Sequence, residues 1–107
     1  MLNRAGKSIE PTIASTTAAA AGSVKAMQKD VRVSIVNAEG EDAYPIAGFT
    51  YLLVYQHSGN ADNGRAVQDF LTWAIHSGQK YAAPLLYAPL PREIVALNEA
   101  KIKSMTF

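Results

Sequence analysis

Few residues in this 107-residue chain have the types and spacing that chemistry needs. The loop Ser58-Gly59-Asn60-Ala61-Asp62-Asn63-Gly64-Arg65 precedes an amphipathic stretch. Free amides at a helix start, a hydroxyl and an arginine form an anion site in other proteins, so Ser58, Asn63 and Arg65 are the anion candidates. Asp62 opposes an anion there, and Asx residues before a helix more commonly cap it, with Asp62 or Asn63 well placed to do so. His57 and His76 are the two histidines; neither has a carboxylate at metal-ligand spacing nor a nucleophile motif beside it, so each reads as solvated. Glu39, Glu41 and Asp42 crowd one turn, but a hard cation wants six or more oxygens from a shaped loop, and an exposed turn explains them. No catalytic set, metal site or cofactor motif emerges, and the expectation is a non-enzyme.

Composition narrows the classes further. Ten basic against nine acidic residues give a net charge of +1, far from the one-faced basicity of nucleic-acid binders. The absence of cysteine removes thiolate nucleophiles, thiolate metal sites and disulfides together, and leaves the compartment open. The N-terminal Met1-Leu2-Asn3-Arg4-Ala5-Gly6-Lys7 is not followed by the unbroken apolar segment of an export signal, so none is expected. With 49% apolar and 18% charged residues, the chain reads as one globular domain.

The elements that must position any site follow from periodicity. A first helix is expected from about Ser8 or Glu10, with Pro11 in its first turn, to Ala21, where Gly22 ends it. Val31, Val33 and Ile35 alternate with Arg32 and Ser34, predicting an edge strand. The run from Tyr44 to Tyr55 is apolar, β-branched and aromatic, and predicts a central strand buried on both faces, with a bend at Gly48. Val67, Phe70, Leu71, Ala74 and Ile75 give the wide apolar face of a helix lying on a sheet. Gly78 ends that helix, and a second short one broken near Pro84 is expected from Tyr81 to Tyr87. Pro89-Leu90-Pro91 is an extended link, and from Arg92 the stripe Ile94, Leu97, Asn98, Lys101, Ile102 and Met105 makes a terminal helix, read as a peripheral cover. Tyr44, Tyr51, Tyr55, Tyr81, Tyr87 and Trp73 read as packing residues rather than a stacking platform.

The predicted class is α/β, or an α+β-like fragment, with two main strands and three to four helices. Residues 1–30 form a helical lead-in, and residues 31–107 a strand-strand-helix-helix portion of one partial domain. Two strands leave a doubly buried ribbon short of neighbours. Such an exposed edge predicts a homo-oligomer.

Several blocks resemble, in order, the final third of the periplasmic phosphate-binding protein of bacterial ABC importers. They include Asn3 to Lys7, Glu10-Pro11-Thr12, Ala43-Tyr44-Pro45-Ile46, Phe70-Leu71-Thr72-Trp73-Ala74, Gly78-Gln79-Lys80-Tyr81-Ala82, Tyr87-Ala88-Pro89-Leu90-Pro91 and Lys101 to Ser104. The resemblance implies part of one lobe of a type II periplasmic-binding-protein fold, a periplasmic location, inorganic phosphate as ligand and an ABC permease as partner. The family's phosphate ligands lie in segments with no matching motif in this chain, so no ligand residue carries over. The alternative is a stand-alone scaffold or interaction domain that has lost ligand binding; phosphate titration separates the two.

Overall fold

A computed structural model describes residues 1–107 and is helical where it is regular. Its helices are α1 (Ile13–Ala21), α2 (Val24–Met27), α3 (Ala61–Ile75) and α4 (Arg92–Lys103), with 3₁₀ turns at Ser77–Tyr81 and Ala83–Leu85. The only β pairings are isolated bridges, Leu2 with Ser8 and His57 with Thr106.

Helix α1 starts later than expected because Thr12, not Ser8 or Glu10, caps it. The Thr12 hydroxyl accepts from the Ser15 amide at 3.1 Å, and the Ser15 hydroxyl accepts from the Thr12 amide at 2.9 Å, a reciprocal capping box. At its end Gly22 is required by close approach, since a Cβ there would collide with the Glu39 carbonyl.

Both predicted strands fail to form a ladder. The inward set Val31, Val33 and Ile35 is half-buried or buried and Arg32 and Ser34 are exposed, so the alternation is present. Its amides, however, are taken by near neighbours: Arg32 by the Asp30 carboxylate at 2.9 Å, Val33 by the Val31 carbonyl at 3.0 Å, Val36 by the Ser34 hydroxyl at 3.2 Å. One cross-link to the following segment survives, from the Asn37 amide to the Pro45 carbonyl at 2.7 Å. From Ile46 to Tyr55 no backbone group hydrogen-bonds within the chain. Burial on both faces is therefore overturned as well. Ala47 and Phe49 pack inward and Tyr51 reaches the Val31 and Val33 carbonyls, but Leu52, Leu53 and Tyr55 are exposed, Leu53 at 95%. A strand is stable only with neighbours, and this chain supplies none beside that segment. Gly48 has neither a positive φ nor a crowding neighbour, so no special bend rests on it.

Helix α4, expected at the periphery, is the spine of the molecule. Its buried Ile94 joins Ala20, Met27 and Ile35 in one core cluster, while Ile102 joins Leu71 and Met105 in a second. With no sheet to organise the core, the amphipathic helix with contacts at both ends takes that role. Helix α3 buries Leu71 but leaves Val67 and Phe70 exposed, half of the face predicted to lie on a sheet.

The N-terminal block is fixed by one side chain. Asn3 is buried; its amide group donates to the carbonyls of Glu41 at 2.7 Å, Ala43 at 3.2 Å and Gly40 at 3.3 Å. Its oxygen accepts from the Ala5 and Lys7 amides. The result is thin and elongated, with principal extents of 50 × 30 × 18 Å and a radius of gyration of 15.3 Å, against about 13 Å for a compact chain near 100 residues.

Two substitutions test this core. Replacing Ile94 with Ala removes the side chain at the centre of the first cluster and is expected to cost about 2–5 kcal/mol in urea melts. Asn3→Ala leaves three carbonyls unpartnered and is expected to cost about 1–3 kcal/mol, with Lys7→Ala, an exposed ion-pair residue, within about 1 kcal/mol of the parent.

Candidate functional site

The anion candidates gather at the start of α3. The cap is Asn60 rather than Asp62 or Asn63: its side-chain oxygen accepts from the Asn63 amide at 3.0 Å, and its carbonyl accepts from the Gly64 amide at 2.9 Å. Asn60 wins because it occupies the last extended position before the helix, where an Asx oxygen reaches the third helical amide. Ser58 is engaged in the same turn, donating to the Asn60 carbonyl at 2.6 Å. The Arg65 guanidinium lies 3.8 Å from the Asp62 carboxylate and 5.6 Å from the centre of the Phe107 ring. Ser58 and Asn63 face an open groove of about 360 Å³ whose other walls are chiefly apolar, among them Leu53, Tyr55, Val67 and Met105, and Arg65 is not part of its lining. Gly64 admits the C-terminus: a Cβ there would strike the Phe107 ring and the Ser58 side chain.

The histidines do not meet. His57 lies in the bridge to the C-terminal segment, its Nδ1 2.9 Å from the Thr106 hydroxyl. His76 stands just beyond α3, not on its polar side, beside an open cleft of about 600 Å³ bordered by Ser77, Arg92 and Glu99. The carboxylates of the 39–42 turn pair with the basic N-terminus, Glu41 with Lys7 at 3.0 Å and Glu39 with Arg4 at 3.7 Å. No three acidic or histidine side chains converge as a metal site. No helix is long and apolar enough to cross a membrane.

The conserved-looking blocks quoted from the sequence turn out to be braces. Gly78 packs against Trp73, and the Gln79 side chain donates to the Ala74 carbonyl at 2.9 Å and accepts from the Leu90 amide at 2.8 Å. Thr17 ties α1 to the Pro89 carbonyl at 3.1 Å, and the Tyr44 amide reaches the Ser15 carbonyl at 3.0 Å. Sequence reasoning missed Asn3 and Gln79, whose partners are distant backbone groups without a sequence signature. The aromatic residues read as packing groups are largely open: Phe70, Trp73 and Tyr81 form a row with ring centres about 6 Å apart, and Tyr51, Tyr55 and Tyr87 are also exposed.

With that geometry in place, the relatives are informative. The chain is 37% identical to the phosphate-binding protein PstS of Xylella fastidiosa (strain 9a5c) over 98 residues. This chain is similar to a PstS segment. The similarity takes in 92% of the chain but 27% of that protein. PstS of Pasteurella multocida is 31% identical, over 95% of the chain and 30% of the relative, and that of Methanocaldococcus jannaschii 34% identical, over 90% and 28%. The chain thus spans under a third of the length of these curated relatives. No protein-family profile matches it. PstS is named as a binding protein, which agrees with the lack of an acid/base or nucleophile constellation in the sequence.

Replacing Asn60 with Ala is expected to destabilise the chain by about 1 kcal/mol, read from a thermal melt. The Lys103 ammonium beside Glu99, 3.0 Å away, holds that carboxyl below its ordinary value, and the Arg32 guanidinium does so strongly for Asp30. Because protons bind these groups more readily in the unfolded chain, their stabilisation is present above pH ~4 and fades as pH falls through the carboxylate range. Melts from pH 6 to pH 3 are expected to show this loss, and Lys103→Ala combined with Arg32→Ala to flatten it.

Proposed function

We propose that the chain is part of the substrate-binding component of a phosphate ABC importer, supplying a C-terminal portion of one lobe. It works by binding rather than catalysis, in the periplasm, with inorganic phosphate as the cargo of the whole protein and an ABC permease as its partner. The observation that carries the reading is the 29–37% identity to PstS proteins over nearly the entire chain. Two physical features support it. The segment from Ile46 to Tyr55 has a strand's composition and a backbone without partners, as a lobe strand has when its sheet lies elsewhere. The blocks shared with the family brace helices and loops in this chain, a scaffold role that leaves ligand capture to other segments.

Within this reading Ser58, Asn63 and Arg65 are the positions offered for an anion, and they offer little, because capping and the Asp62 and Phe107 contacts already engage them. The 107-residue chain titrated with phosphate is therefore expected to give no micromolar binding, with the amide resonances of Asn63 and Arg65 unmoved. A chimera carrying this chain in place of the matching segment of Xylella fastidiosa PstS is expected to bind phosphate. A folded chimera that does not bind phosphate would overturn the assignment, and micromolar binding by the isolated chain would overturn the view that capture lies in other segments.

A further inference from the structure

The solvent-accessible surface of the chain is 7383 Å², where a folded monomer of this size exposes about 5,800 Å². Much of the excess is one uncharged ribbon. Ile46, Tyr51, Leu52, Leu53, Val54 and Tyr55 are 45–95% exposed, and no backbone group between Ile46 and Tyr55 is hydrogen-bonded within the chain. Between Asp42 and Arg65 the only acidic or basic side chain is Asp62, with His57 beside the ribbon's end. Half-buried Ala47 and Phe49 alternate with exposed Ile46, Gly48 and Thr50, the side-chain period of an extended strand.

We propose that two copies of this chain pair antiparallel through residues 51–55, related by a two-fold axis at Leu53. A two-fold axis normal to a sheet pairs residues of the same parity, so Leu53 stands opposite Leu53, Leu52 opposite Val54, and Tyr51 opposite Tyr55. The register joins the most exposed large aliphatic side chain to itself and places each Tyr51 across from a Tyr55, an aromatic pair of the kind that stabilises cross-strand neighbours. A second copy is the occupant the surface favours for three reasons. The ribbon is neutral, so self-pairing brings no like charges together. Both of its edges are free, so main-chain donors and acceptors are satisfied mutually. Its two tyrosines alone carry about 150–250 Å² each, and with the aliphatic side chains the strand approaches the roughly 800 Å² per partner of a standard interface. The proposal is independent of the phosphate reading, since it concerns only the association of this chain with itself.

The absence of cysteine makes the test clean. In the Leu53→Cys chain the two sulfurs sit on directly opposed residues, whose Cα atoms lie about 4.5–5.5 Å apart, inside the disulfide window. In Leu52→Cys they sit on diagonal neighbours about 7–8 Å apart, outside it. Sedimentation of the unaltered chain at tens of micromolar is expected to give a dimer, and mild oxidation to cross-link Leu53→Cys about tenfold faster than Leu52→Cys, following that difference in reach. Leu53→Lys, at a position open to solvent in the single chain, is expected to return the protein to monomer with its helical circular dichroism intact. A monomer at 100 µM or so would overturn the proposal. So would faster cross-linking at Leu52, polydisperse aggregation without a discrete dimer, or a chain that associates only with the remaining segments of a PstS-like protein.

Discussion

Hydrogen bonding of the main chain between Ile46 and Tyr55 is the constraint on which the rest of this structure turns. Ten consecutive residues of strand-like composition leave every amide and carbonyl to solvent or to a partner outside the chain. A sheet would have satisfied them and drawn α3 onto its face; without it, Val67, Phe70 and Trp73 stay open. The elongated shape and the small core, 14 buried residues of 107, follow from the same cause.

What order the molecule has comes from helices and side-chain clamps. Helix α4 lays Ile94 into one cluster and Ile102 into the other, so the two small cores share a single rigid element. Around it, Asn3, Thr17, Gln68 and Gln79 each reach a backbone carbonyl far along the chain or in the next element. Such polar braces contribute little each but fix register between segments that bury little apolar surface. The blocks shared with PstS proteins coincide with several of these braces, which explains why they can be retained in a chain with no assembled anion site.

The turn before α3 shows how local chemistry closes a site that composition seemed to offer. An amide-rich helix start with a hydroxyl and an arginine is a credible anion cradle in sequence. Folding gives the amides to Asn60, the hydroxyl to the Asn60 carbonyl and the arginine to Asp62 and Phe107. The groove that remains is lined mainly by the apolar ribbon and α3, so its character is that of an interface more than of a polar ligand pocket.

The sequence by itself determined the helices: the periods of 61–75 and 92–103 place α3 and α4, Gly22 and Gly78 mark real boundaries, and the alternation of Val31, Val33 and Ile35 matches their burial. It also carried the likeness to phosphate-binding proteins, because that signal lies in ordered residue blocks and needs no coordinates. Tertiary structure alone decided that neither strand acquires a ladder, that α4 is central, and that Asn3 and Gln79 hold the segments together. The physical reason is range. Helical hydrogen bonds close within four residues and are written in local periodicity, whereas a strand's partners and a clamp's acceptors lie at any separation and exist only if some segment arrives beside them.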